Sequence, residues 1–152
     1  MTRTSLPKEH DFDPWNGCLD AQCAWKNFGG LSLEEAHARF RENPIYYQED
    51  FMFMGGVAFA YYFPVIESYL LETPPAAEHP GDDREAWILA HCINQQFSGQ
   101  DFAPVLPLKS RVLELANFVR REIARFSDDA NEQRRIINAW QELEAQLRSV
   151  RG

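Results

Sequence analysis

Apolar side chains recur along this chain at helical spacing. Ala21, Ala24, Trp25 and Phe28 follow the i, i+3, i+4, i+7 rule, and Gly29-Gly30 then supply a left-handed stop, so a first helix is predicted over 18–28. Ahead of it, Asp13-Pro-Trp-Asn-Gly17 reads as a turn, and residues 1–13 as a flexible polar lead. Ser32-Leu-Glu-Glu35 has the form of a capping box opening a second helix, with Leu33, Ala36 and Phe40 on its inner edge. Asn43-Pro44 ends that helix, because the residue before proline is pushed out of the α region. A turn or short helix follows over 46–53, with a strand over 51–54 as the alternative. Gly55-Gly56 marks a break before a third helix over 57–71. In that helix Val57, Tyr61, Val65 and Tyr69 recur every four residues beside Ala58, Tyr62, Ile66 and Leu70, giving a wide apolar face suited to the centre of a core, with a kink predicted at Pro64.

The second half continues the pattern. A Pro-rich loop over 73–81 leads to Asp82-Asp-Arg-Glu85, a second candidate capping box, opening a fourth helix to about residue 97 with Trp87, Ala90, Cys92, Ile93 and Phe97 inward. The connector over 98–108 is the best candidate for a subdomain boundary. Val112, Leu115, Ala116, Val119, Ile123 and Phe126 form one stripe, and Asp129-Ala-Asn-Glu132 a third box. Ile136, Trp140, Leu143, Leu147 and Val150 then alternate spacings of four and three, the seam of a helix packed nearly antiparallel on its neighbour. The expectation is an all-α fold: one domain over 1–152, about six helices in a compact bundle, closed by an antiparallel helical hairpin over 109–150.

Composition narrows the function classes. At 152 residues and 45% hydrophobic content the chain can bury a core of its own, which sets it apart from disordered sequences. Its 23 acidic and 15 basic residues give a net charge of −8. That disfavours nucleic acid and anionic membrane as partners and favours basic proteins. The acid is concentrated in residues 1–100, with 15 Asp and Glu against 6 Lys and Arg. No apolar run reaches the ~20 residues of a membrane span, and the first ten residues carry no apolar signal segment, so a soluble cytoplasmic protein is expected. Cys18, Cys23 and Cys92 are too few and too scattered for a disulfide framework and read as small core residues.

The usual catalytic sets are missing: neither Gly-Gly pair is followed by the Lys-Ser/Thr of a phosphate loop, and there is no nucleophile elbow and no His-Glu-x-x-His. His10, His37, His79 and His91 are dispersed, and the single Glu34-x-x-His37 lacks the second copy a dinuclear helix-bundle site requires. No cofactor and no metal are therefore expected, and no enzymatic activity. Three acidic pairs, Glu34-Glu35, Asp82-Asp83 and Asp128-Asp129, fall at predicted helix starts and answer the helix dipole. Glu49-Asp50 lies instead among Tyr46, Tyr47, Phe51 and Phe53. Carboxylates beside aromatics suit general acid–base work with a shifted pKa, or a recognition patch of aromatic anchors with an acidic rim; the further reading is a core of aromatics with two acids on an exposed turn.

The stretches Trp15-Asn-Gly-Cys-Leu-Asp-Ala-Gln-Cys-Ala-Trp25 and Tyr47-Gln-Glu-Asp-Phe-Met-Phe-Met-Gly-Gly-Val-Ala-Phe-Ala-Tyr-Tyr-Phe-Pro-Val-Ile66 resemble uncharacterised bacterial helical proteins of the sort encoded beside polymorphic toxins. The resemblance implies an immunity-type role: a small protein that covers the basic active site of a cognate toxin domain. From charge and aromaticity the contact surface is assigned to Tyr46, Tyr47, Glu49, Asp50, Asp82 and Asp83. Two alternatives stand beside it. One is a small-ligand binder or enzyme with a pocket near Tyr61, Tyr62, Trp87 and His91. The other is a helical scaffold that self-associates through its C-terminal hairpin.

Overall fold

The computed structural model describes residues 5–99 and 102–150. Every regular element among them is helical. Six helices run for ten residues or more: α2 (Leu19–Phe28), α3 (Leu33–Glu42), α6 (Gly56–Leu71), α7 (Ala86–Ser98), α8 (Lys109–Arg121) and α10 (Ala130–Ser149). Four single turns join them: α1 (Glu9–Phe12), α4 (Pro44–Tyr47), α5 (Asp50–Phe53) and α9 (Ile123–Phe126). The fold is all-α.

The local signals act as their chemistry requires. The Ser32 hydroxyl accepts the Glu35 N–H at 3.2 Å and the Glu35 carboxylate accepts the Ser32 N–H at 2.9 Å, closing the capping box of α3. Asn43 ends α3 and then opens α4, its side-chain oxygen accepting the Tyr46 N–H, with Pro44 in the first helical position. The residues 46–53 form two single helical turns and no strand.

Helix α6 runs through the centre, packed against α1, α3, α7 and α8. Six of the eight residues expected on its apolar face are buried, Ala58, Tyr62, Val65, Ile66, Tyr69 and Leu70; Phe59 and Phe63 join them wholly buried, whereas Val57 and Tyr61 are half-exposed. Pro64 sits inside a single helix and does not end it. The Tyr62 hydroxyl reaches back to the carbonyls of Phe28 (3.1 Å) and Leu31 (2.7 Å), locking the α2–α3 corner onto α6.

Four expectations are corrected. Residues 7–13 are docked, not a flexible lead: Phe12 is wholly buried, and the Asp13 carboxylate accepts the Gly17 N–H and the Gln22 amide. Despite desolvation, the Gly17 N–H and its neighbours hold Asp13 below the usual carboxylate range. The stripe over 109–126 is not one helix, for the chain turns at Glu122 before α9. The seam of α10 faces α7 even more extensively than α8, so the C-terminal pair is a hairpin with a third helix in its groove. Finally, Cys23 is exposed rather than a core residue, Cys18 is half-buried, and only Cys92 is buried. No helix among the described residues is long and apolar enough to cross a membrane.

Candidate functional site

The sequence-assigned surface divides in two. No hydrogen bond, ion pair or ring contact links residues 46–50 to the 82–85 turn among the described residues.

In the first group Tyr46 is 60% exposed beside the equally accessible Ile45, and Glu49 is exposed. Tyr47 is half-buried, its ring edge-on to Phe28 at 5.5 Å. Asp50 does not belong to this surface. It is 8% exposed and accepts the Asn27 amide at 2.8 Å, while the Asn27 carbonyl accepts from Arg39. The single turn of α5 places Asp50 and Phe51 together on the inner side, where an acid next to the exposed Glu49 would otherwise read as a surface charge. Burial, with a smaller push from Glu49, raises the Asp50 carboxyl to about 6 in spite of the Asn27 hydrogen bond.

That shift has a testable sign. Between pH ~4 and ~6 the native state holds this proton and the unfolded chain does not, so the contribution of Asp50 to stability falls as pH rises through that window. Asp50→Asn retains an acceptor for Asn27 and removes the buried charge. The variant is expected to gain about 1–2 kcal/mol over the wild type at pH 7.5 and nothing at pH 4, in urea titrations at the two pH values. A loss at pH 7.5 would contradict this account.

The second group is a constructed cleft. Asp82 and Asp83 join Asp128, Asp129 and Glu132 around a volume of about 290 Å³, with Ala76, His79, Pro80, Gly81 and Phe126 completing its walls. Arg135 lies on the rim. Its guanidinium stacks on Trp87 at 3.6 Å and reaches Glu132 only at 3.9 Å. The His79 ring lies between the Asp82 carbonyl (2.6 Å) and the Pro74 carbonyl (3.0 Å) and braces the 74–82 loop.

The chain reaches this geometry through an unusual turn. The Asp82 carboxylate accepts the Arg84 N–H at 2.8 Å and the Asp83 carboxylate accepts the Glu85 N–H at 3.0 Å. Arg84 and Glu85 both take positive φ, 57° and 56°, a conformation costly for side chains with a Cβ. Arg84 is held there by its cation–π contact with Tyr69 at 3.9 Å and by donation to the Tyr69 carbonyl at 3.1 Å. So Asp82–Glu85 is not the expected capping box: α7 begins at Ala86, and Glu85 has no capping role for its side chain. At the other wall, the Asp129 carboxylate caps α10 by accepting the Glu132 N–H at 2.8 Å, half of the predicted reciprocal box.

Two carboxylates of this region lack donors. Glu85 is 9% exposed, and no hydrogen bond reaches its carboxylate; burial and then Asp82 and Asp83 push it up to about 7. The Glu132 Oε1 is buried without a partner, and burial together with Asp83 raises this carboxyl too. The chemistry of the cleft is that of a concentrated negative potential behind low-dielectric walls, which draws in cations.

The alternative pocket does not assemble. Tyr62 is a core residue tied to two carbonyls, Tyr61 packs edge-on against it at 4.9 Å, and Trp87 lies between His91 and Arg135. A larger hollow of about 750 Å³ lies elsewhere, lined by Trp15, Cys18, Met52, Phe53 and Met54 with Gln95 and Gln96. Sequence reasoning missed Asp128, Asp129 and Glu132 as site residues. The one available signal was that two acidic pairs, 82–83 and 128–129, both precede helices that share an apolar seam.

No family model matches this chain, no curated protein matches it, and no solved structure matches its fold.

Proposed function

We propose that this protein is a binding protein of the immunity type, which neutralises a cognate toxin by seating a basic segment of it in the acidic cleft between the 79–83 turn and the start of α10. The carrying observation is the convergence of Asp82, Asp83, Asp128, Asp129 and Glu132 on one cleft with Arg135 drawn aside onto Trp87. Like charges gathered this way repel one another in the free protein and are relieved by a cationic partner, so the arrangement favours association. Ile45, Tyr46 and Glu49 are exposed as well, with none of them among the residues that line the cleft. The cytoplasmic location and the absence of catalysis belong to this same reading.

The test is co-expression with the neighbouring toxin gene. The wild-type chain is expected to restore growth, and the fourfold variant Asp82→Asn, Asp83→Asn, Asp128→Asn, Glu132→Gln to lose protection, with binding weakened at least ~100-fold, since close interfacial charge pairs contribute about 1.5–7 kcal/mol each. Asp129 is left in place because it caps α10. Association of the wild type should slow as salt rises. Unchanged protection by the folded fourfold variant would remove the cleft from the interface, and toxicity undiminished by the wild-type chain would end the immunity reading.

A further inference from the structure

We propose that the hollow beside Trp15 binds a neutral, flat aromatic molecule bearing a ring N–H or O–H. The hollow has a volume of about 750 Å³ and shares no lining residue with the acidic cleft. Sites for small organic ligands occupy about 300–1,000 Å³ and combine apolar walls with a few placed polar groups. Here Trp15, Met52, Phe53 and Met54 supply the apolar wall. None of the described residues that line it is Asp, Glu, Lys, Arg or His, in a chain that is 25% charged. An ionic ligand would enter without a counter-charge, so the wall selects a neutral one.

Two observations separate this hollow from a bare apolar surface. The first is Gln96, which lines it. The Gln96 amide nitrogen lies 3.0, 3.4 and 2.7 Å from the carbonyl oxygens of Phe51, Met52 and Met54. Acceptors gathered around that end of the amide fix it as the nitrogen, so the other end is the oxygen. That oxygen receives no donor among the described residues and is not one of the buried unpartnered atoms, so a ligand can reach it. It accepts and cannot donate, and its complement is an N–H or O–H. The second observation is Trp15, whose side chain is 60% exposed yet sits on a pinned turn. The Asp13 carboxylate accepts the Gly17 N–H at 2.8 Å and the Cys18 N–H at 3.4 Å, and Asn16 is held at a φ of 56°. The Pro14 ring lies so close to Gly55 that a Cβ there would meet it at 2.8 Å. An aromatic side chain on a fixed turn loses little freedom when a flat ring stacks on it. The Met52 and Met54 thioethers suit the same ring, since sulfur makes favourable contacts with aromatic edges.

The inference stands apart from the partner reading, because a small molecule alone is the probe. Isotope-labelled protein is titrated with indole and followed by proton–nitrogen correlation spectra. The expected result is saturable shifts of the Trp15 indole N–H and the Gln96 side-chain amide, with Kd at or below about 1 mM. N-methylindole, which lacks the donor, is expected to bind roughly 2–10-fold more weakly, the effect of one hydrogen bond. Indoleacetate, an anion at neutral pH, is expected to bind at least ~10-fold more weakly than indole. Trp15→Ala is expected to weaken indole at least ~10-fold, read from the Gln96 amide. Trp15 lies largely in solvent, so the rest of that variant's spectrum should match the wild type and the loss cannot be put down to unfolding. Asp82→Asn, in the acidic cleft, is expected to leave indole binding unchanged. Absence of saturable shifts up to about 10 mM indole overturns the proposal. So does binding that Trp15→Ala leaves intact, and so does equal binding of indole, N-methylindole and indoleacetate, which marks adhesion without recognition.

Discussion

Trp140→Ala is expected to lower the stability of the protein by roughly 4–8 kcal/mol, a large share of what a domain of this size possesses. Trp140 is the largest wholly buried side chain and sits midway along the α10 seam. Truncation opens a cavity between α7, α8 and α10, which costs about 3–5 kcal/mol. The indole also donates to the Ala86 carbonyl at 2.9 Å, across 54 residues of chain. Ala86 is the first residue of α7, immediately after the two left-handed residues of the cleft turn. Loss of the donor strands a buried carbonyl, adding about 1–3 kcal/mol. Trp140→Phe separates the two contributions: it refills most of the volume and loses only the hydrogen bond, so it should cost about 1–3 kcal/mol. Urea titrations followed by circular dichroism measure both variants without relying on the indole's own fluorescence. A loss below ~2 kcal/mol for Trp140→Ala would show that the seam collapses freely and that α7 and α10 are not the rigid frame of the cleft.

The same residue shows where sequence reasoning ends. Its spacing from Ile136, Leu143 and Leu147 announces a buried stripe, and all four are buried. Spacing within one helix says nothing about the identity of the partner: it suggests half of a two-helix hairpin, whereas α7 takes the larger share. Caps behave likewise. Ser32 and Glu35 satisfy each other over three residues, so that box was legible. Asp82 and Glu85 have the same spacing, yet the contacts that hold Arg84 at positive φ come from Tyr69 and Thr73, more than ten residues away. The candidate site divides along the same line. Asp82 and Asp83 were legible as unusually dense charge. The meeting of that turn with Asp128, Asp129 and Glu132 depends on α7 and α10 lying side by side, a long-range fact. Asp50 departs from the sequence expectation for the converse reason: a single helical turn rotates this acid inward while its neighbour Glu49 stays in water.

Phe12→Ala is expected to cost about 3–5 kcal/mol, although the polar sequence around Phe12 reads as a dispensable leader. The ring is wholly buried, edge-on to Trp25 at 5.4 Å and beside Tyr62 at 5.8 Å, so it joins α2 to the central helix. Backbone contacts make the same join. The Gly55 N–H donates to the Phe12 carbonyl at 2.8 Å, and a Cβ at Gly55 would lie 2.3 Å from the Asp11 carbonyl oxygen. Glycine is therefore required there by the close passage of α1 over the start of α6, and its own φ of −60° is one that any residue adopts. Phe12→Leu, which keeps most of the apolar volume, should lose markedly less than Phe12→Ala, since the cost scales with the space left unfilled. Removing residues 1–13 altogether should be at least as damaging as Phe12→Ala, because it also removes the Asp13 carboxylate that receives the Gly17 N–H and the Gln22 amide. Urea titration of the truncated chain decides between the two views of this segment: a midpoint shifted by less than the equivalent of ~1 kcal/mol makes it a leader, and a shift of several makes it part of the core. The second outcome follows from the packing. Trp25 and Tyr62 pack directly on the Phe12 ring and would otherwise face a cavity.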